Sequence, residues 1–214
     1  MKIYVVTFLV FVFAVGLVYG QETRVGMLAG INFQNLNGED GSGDKLENNL
    51  IIGFHAGANI LMPISPEIYF QPGLLFSTKG AANDDTQDIK YKLNYVELPL
   101  NLVYRGQLRE SYVLLGFGPY AAMAVNGKVD FDNVSRDIEF TNKVESGDPL
   151  TTPYMKRFDA GANIFAGYEF SGGLFFQLNA QLGLLNLTPQ DERLLGNESI
   201  VKNTGFGLSA GFRF

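Results

Sequence analysis

The stretch Arg157-Phe-Asp-Ala-Gly-Ala-Asn-Ile-Phe-Ala-Gly-Tyr-Glu-Phe170 alternates residue by residue. Phe158, Ala160, Ala162, Ile164, Ala166, Tyr168 and Phe170 share one parity, and Arg157, Asp159, Gly161, Asn163, Phe165, Gly167 and Glu169 the other. Successive side chains of a strand point to opposite faces, so this is a strand with an apolar face ended by aromatics and a face of glycine, amide and charge. From Phe158 to Tyr168 it spans roughly 33 Å at about 3.3 Å per residue, and a tilt near ~45° projects that to about 23 Å, close to the ~25 Å apolar band of an outer-membrane barrel.

The same pattern recurs along the chain. Val25–Phe33, Ile52–Met62, Ile68–Phe76, Val96–Tyr104, Val113–Met123, Leu174–Leu182 and Phe206–Phe214 each set alternate apolar residues against Gly, Ser, Asn and Gln. With the opening stretch they make eight strands. Long polar connections are read at 34–49, 79–88, 126–155 and 186–203. Short turns are read at Pro63–Pro66, Arg105–Ser111 and Ser171–Gly173. Short periplasmic turns and longer outer loops are the habit of outer-membrane barrels, and this order places both termini in the periplasm. Phe33, Phe54, Phe76, Phe158 and Phe206 fall towards the long loops, with Phe70, Tyr104, Phe117, Tyr168, Phe170, Phe212 and Phe214 towards the turns. They form two aromatic girdles.

A soluble barrel of the lipocalin kind also alternates. Its outer face needs many Lys and Glu, whereas the polar face here is mostly uncharged and suits a crowded interior. The fold expected is all-β, a closed eight-stranded antiparallel up-and-down transmembrane β-barrel over residues 21–214. Closure satisfies the backbone groups that lipid would otherwise leave unpaired.

Met1 and Lys2 precede an apolar run, Ile3–Val18, and Val18-Tyr19-Gly20 places compact residues before a polar Gln21-Glu22-Thr23-Arg24. Residues 1–20 read as a cleaved signal peptide rather than an anchor. Cleavage removes one lysine and no acid, moving the formal charge from −6 to −7. No cysteine is present, which excludes disulfides, thiol catalysis and Cys-ligated zinc. An acidic chain without a basic stripe does not read as a nucleic-acid binder.

Tyr69-Phe-Gln-Pro-Gly-Leu-Leu-Phe-Ser-Thr-Lys-Gly80, Leu93-Asn-Tyr-Val-Glu-Leu-Pro-Leu-Asn-Leu-Val-Tyr104, Gly118-Pro-Tyr120, Gly167-Tyr-Glu-Phe170 and Gly211-Phe-Arg-Phe214 resemble the PorT-like outer-membrane β-barrel family. Tyr95, Glu97 and Pro99 match its most recognisable strand. The resemblance implies the barrel fold and an envelope setting. PorT itself is associated with type IX secretion, a role that fold alone does not transfer. Phe214 resembles the C-terminal aromatic read by the barrel-insertion machinery. The partners expected are therefore outer-membrane lipid, that machinery, and secretion or envelope proteins.

Arg24, Glu97, Arg157, Asp159, Glu169 and Arg213 are expected to point inward as a polar network filling the lumen, because a narrow barrel is only wide enough for side chains and paired charges avoid lone buried ions. His55, the only histidine, is read as packing, since one His assembles no multi-histidine metal site. Gly116-Phe117-Gly118 is explained by period two without a phosphate loop. Asp40, Ser42 and Asp44 have the spacing that opens a calcium loop but lack its glycine and closing glutamate. No nucleophile motif appears, so no cofactor, metal or enzymatic activity is expected. The functional expectation is a closed structural or interaction barrel in envelope organisation or a secretion assembly. The alternative is a narrow porin-like channel for small solutes.

Overall fold

A computed structural model describes residues 23–83, 89–131, 134–193 and 199–214. The segment read as a signal peptide lies outside them. Eight strands form the barrel: β1 (Arg24–Glu39), β2 (Ile51–Ser65), β3 (Ile68–Asn83), β4 (Ile89–Leu108), β5 (Ser111–Phe131), β6 (Phe158–Glu169), β7 (Leu174–Gly183) and β8 (Ile200–Arg213). Each pairs antiparallel with its neighbour in sequence, and β8 closes the ring on β1 from Gly26↔Arg213 to Glu39↔Ile200. No free edge is left among these strands, as a structure surrounded by lipid requires.

The distribution of side chains is inverted relative to a water-soluble protein. Ile52, Phe117 and Ile164 are exposed by 75%, 61% and 62%, while Glu97, Asp159 and Glu169 are buried. Monomeric soluble proteins rarely expose contiguous apolar patches beyond a few hundred Å². Here the apolar surface continues around the ring, through Met27, Phe54, Leu74, Leu102, Phe176 and Leu208. Aromatics meet within each expected girdle. Phe33 stacks on Phe206 at 5.0 Å and Phe54 meets Phe76 at 5.7 Å, while Tyr168–Phe170 and Phe212–Phe214 make edge contacts at 5.0 and 5.1 Å.

The strands run further than the alternation indicated. Gln34–Glu39 continue β1 against Asn35↔Thr204 and its neighbours, Lys79–Asn83 continue β3 against β4, and β5 extends to Phe131. The outward positions of these segments, Asn35, Asn37 and Glu39, Gly80 and Ala82, and Asn126, Lys128 and Asp130, carry no large apolar residue, which is why the alternation of the lipid-facing strands does not reach them. Val134–Asp137 pairs antiparallel with the end of β5. At the other end β2 persists through Pro63 to Ser65 with a register shift, and the turn is Pro66–Glu67, where Glu67 takes φ 66. Gly173, at φ 90 in the β6–β7 turn, adopts a conformation glycine reaches without a Cβ clash.

The β5–β6 connection folds over the loop end. Short parallel pairs join Tyr154 to Glu139 and Gln190 to Lys143, and Leu187 exchanges backbone bonds with Lys156 and Val201. This lays Ile138, Met155 and Leu187 onto Leu36, Ala81, Leu93, Tyr95 and Val129, an apolar core at the loop mouth.

Candidate functional site

Alternation turns every second residue inward, and following those residues from turn end to loop end divides the lumen into layers. On β4 the inward series is Arg105, Val103, Asn101, Glu97, Tyr95; on β6 it is Glu169, Phe165, Asn163, Asp159. Charge, apolar, amide and charge layers follow one another, with the apolar core above.

At the turn end Glu169 is fully buried and gathers three arginines. Arg105 Nη2 donates to Oε1 at 2.8 Å, Arg213 Nη1 to Oε2 at 2.8 Å, and the partly exposed Arg24 Nη1 to Oε1 at 3.4 Å. Arg213 Nη2 also donates to Gln71 Oε1 at 3.4 Å. The Arg105 guanidinium lies 3.2 Å from the Tyr112 ring centroid, a cation–π contact. Leu61, Tyr69, Val103, Leu114 and Phe165 form the apolar layer above.

The middle layer is amide and hydroxyl. His55 Nδ1 meets Asn32 Oδ1 at 2.6 Å and its Nε2 meets Ser209 Oγ at 2.7 Å. Asn32 Nδ2 donates to Ser77 Oγ at 3.1 Å, so its oxygen is the atom that faces the imidazole. In that orientation the Nδ1–H donates to Asn32, and Nε2 is hydrogen-bonded to the Ser209 hydroxyl. Gly30 makes room for it, since a Cβ there would press on the imidazole and on the Leu208 carbonyl. Asn163 Nδ2 donates to Asn101 Oδ1 at 2.8 Å. A cavity of about 60 Å³ lies among these residues. It exceeds the roughly 10–15 Å³ that one buried water needs and is lined by polar groups that water can bridge.

Towards the loop end Lys79, wholly buried, sits between two carboxylates, 3.0 Å from Glu97 Oε1 and 3.5 Å from Asp159 Oδ2. It lies over the Tyr120 ring at 4.4 Å and the Tyr95 ring at 5.4 Å. Tyr120 Oη and Asn203 Nδ2 donate to Asp159 Oδ2 at 3.0 and 2.8 Å, and Gln181 Nε2 donates to Glu97 Oε2 at 3.0 Å.

The structure thus brings Arg24, Glu169 and Arg213 together at one end and Glu97 and Asp159 at the other. Arg157 belongs to neither group. It is exposed, donates to the Ala124 carbonyl at 3.4 Å and covers the Phe140 ring at 5.0 Å. The expectation that it points into the lumen is corrected: it precedes β6 where the chain is leaving the loop cap, and the period of the strand does not extend to it. Lys79 and Arg105, assigned to connections by the sequence reading, are lumen residues. The signal was present, because each keeps the parity of its strand's inward series, Gln71–Ser77 and Glu97–Asn101. Phe214 is exposed, and its N–H donates to the Val25 carbonyl at 2.9 Å. Asp40 Oδ1 accepts the N–H groups of Ser42 and Asp44 at 2.8 and 3.0 Å, a closed turn within the loop.

The family model described as "Outer membrane protein beta-barrel domain" matches residues 19–188. No curated protein matches the chain. Among solved structures, Ail of Yersinia pestis is 12% identical with TM-score 0.42, covering 91% of this chain and 100% of its own. Neisserial surface protein A is 9% identical with TM-score 0.47 and the same coverages. The N-terminal β-barrel domain of OprF from Pseudomonas aeruginosa is 13% identical with TM-score 0.40, covering 89% and 97%.

Proposed function

The chain belongs to the outer membrane protein beta-barrel domain family, and from that premise we propose that it is a closed barrel whose lumen is a structural core and whose rims carry its interactions. The observation that supports this is the filled lumen: an apolar core at the loop mouth, ion clusters at both ends and a middle cavity of about 60 Å³. Aqueous channels belong to wider barrels, at roughly 16–18 strands. The turns and both termini are assigned to the periplasm and the long loops to the outside, on the habit of bacterial barrels. The resemblance to PorT-like barrels extends the reading to secretion or envelope proteins as partners, with Phe214 as the signal for insertion. No catalytic role is proposed.

The test uses a photo-crosslinking residue placed singly at Asp137 and Glu145 on the loop end, at Glu110 in a turn and at Ile164 on the apolar face, in intact outer membranes. Discrete protein adducts from a rim position, absent at Ile164, support an interaction barrel. Adducts at none of the rim positions would overturn it.

A further inference from the structure

The turn-end ion cluster is out of balance. Glu169 offers two carboxylate oxygens, and Arg24, Arg105 and Arg213 all direct N–H groups at them. Arg213 is fully buried and Arg105 only 8% exposed. Two buried cations on one buried anion leave one positive charge unmatched inside the protein, to which the partly exposed Arg24 adds a second at the surface, and buried charges are normally paired. The opposite imbalance around Lys79 does not supply the missing anion, because it lies beyond the layer of Leu61, Val103, Leu114 and Phe165.

A polar pocket of about 450 Å³ opens beside this cluster, bounded by Arg24, Tyr69, Arg105, Gln107 and Tyr112, with Leu61 at its base. Arg105 Nε is buried and has no hydrogen-bond partner. Arg24 is committed only by its single 3.4 Å contact to Glu169 and has 42% of its side chain exposed. The rim carries one carboxylate, Glu67, which is exposed and enters no ion pair among the described residues.

We propose that this turn-end pocket is a binding site for an oxyanion, the phosphate or carboxylate end of a small solute or headgroup. Guanidinium forks match a group with two or more oxygens in one plane. Arg24 provides such a fork at the pocket wall, and the buried Arg105 and Arg213 add charge from behind it. Gln107 and Tyr112 border the same space, and Tyr112 holds the Arg105 plane in place. The site does not depend on whether the lumen conducts.

The test is a titration of inorganic phosphate into the protein refolded in maltoside micelles, read by the ¹⁵N shifts of the arginine Nε–H groups. Saturable shifts are expected. Binding is expected to weaken at least tenfold in Arg24→Gln, whose side chain is half in solvent, and to tighten severalfold in Glu67→Gln, which removes the rim's negative charge. If Arg24→Gln does not fold, Glu67→Gln decides alone. Shifts that do not saturate, or saturable shifts that neither substitution moves, mean an adventitious ion only and overturn the proposal. Repeating the titration in phosphatidylcholine discs with and without phosphatidylglycerol separates sources. Competition by the anionic lipid assigns the pocket to a headgroup, and indifference to it assigns a soluble anion; the site stands in either case.

Discussion

Lys79 Nζ lies 3.0 Å from Glu97 Oε1, with both side chains removed from solvent inside a barrel whose outer surface is apolar. The contact is close but not well directed, since Glu97 Oε1 has no hydrogen-bond partner by geometry while Oε2 accepts from Gln181. Its contribution is therefore compensation of charge. Removing one partner of a buried pair is strongly destabilising, by about 3–5 kcal/mol, because the other is stranded. Lys79→Met leaves both Glu97 and Asp159 without their cation, and a large drop in the urea midpoint of the liposome-embedded barrel is expected. Adding Glu97→Gln removes one stranded charge and should restore part of the loss. A double variant no better than the single would mean that the three charges do not act as one group.

The facing of β6 makes an asymmetric pair. Ala162 is on the exposed apolar side, and Asn163 is in the lumen beside Asn101 and the 60 Å³ cavity. Ala162→Arg puts a charge near mid-bilayer at about 2–4 kcal/mol and is expected to block assembly, scored by loss of heat-shifted gel mobility. Asn163→Gln should assemble. Inverted outcomes would mean inverted faces.

Gly30 sits under the His55 ring and against the Leu208 carbonyl. Gly30→Ala forces backbone or ring to move, and overpacking of this kind costs about 1–3 kcal/mol. Gly147, with nothing within 4 Å of a built Cβ, is the control. The prediction is a lowered urea midpoint for Gly30→Ala and an unchanged one for Gly147→Ala.

In the loop cap Arg193 grips Asp191 through Nε at 2.9 Å and Nη2 at 2.7 Å, and also donates to the Pro149 carbonyl at 2.7 Å. The side-chain hydrogen bond from Arg193 holds the Asp191 carboxyl below its ordinary range. A lowered folded-state value means the contribution is complete above the ordinary carboxylate range and is lost as pH falls through the lowered value. Amide exchange of Gln190 and Glu192, whose N–H groups donate to the Asn142 and Val144 carbonyls in this cap, should lose protection across that acidic window, relative to a barrel-strand amide such as Ala162. Asp191→Asn should remove the pH dependence. A cap whose relative protection is flat with pH would contradict the assignment.

What the sequence made legible is what lipid imposes. One face of each strand must be apolar across the bilayer, so alternation located all eight strands, their turn order and the aromatics that meet as Phe33–Phe206 and Tyr168–Phe170. Outside the lipid band that constraint ends. Gln34–Glu39 and Asn126–Phe131 stay paired, but their outward positions, Asn35, Asn37 and Glu39 on β1 and Asn126, Lys128 and Asp130 on β5, are polar, so the apolar face that marks a strand in lipid is missing there. Lys79 and Arg105 fell where charge ended an apolar run, which in most chains marks a loop; only their parity placed them inside. Arg157 failed for the complementary reason, because its partners Phe140 and Ala124 come from the loop cap and from β5, and no local pattern encodes such contacts. The apolar core formed by Leu36, Leu93, Ile138, Met155 and Leu187 draws on five separate segments and is visible only once the barrel is closed.

That core carries the central claim, so conductance across it is the direct measurement. The refolded protein in planar bilayers is predicted to give no steady conductance steps, while Leu93→Gly combined with Leu187→Gly, which empties two fully buried side chains from the loop mouth, gives more current than the parent. Steady steps from the parent protein that change on Glu97→Gln or Asp159→Asn would contradict the account and make those residues the lining of a pore.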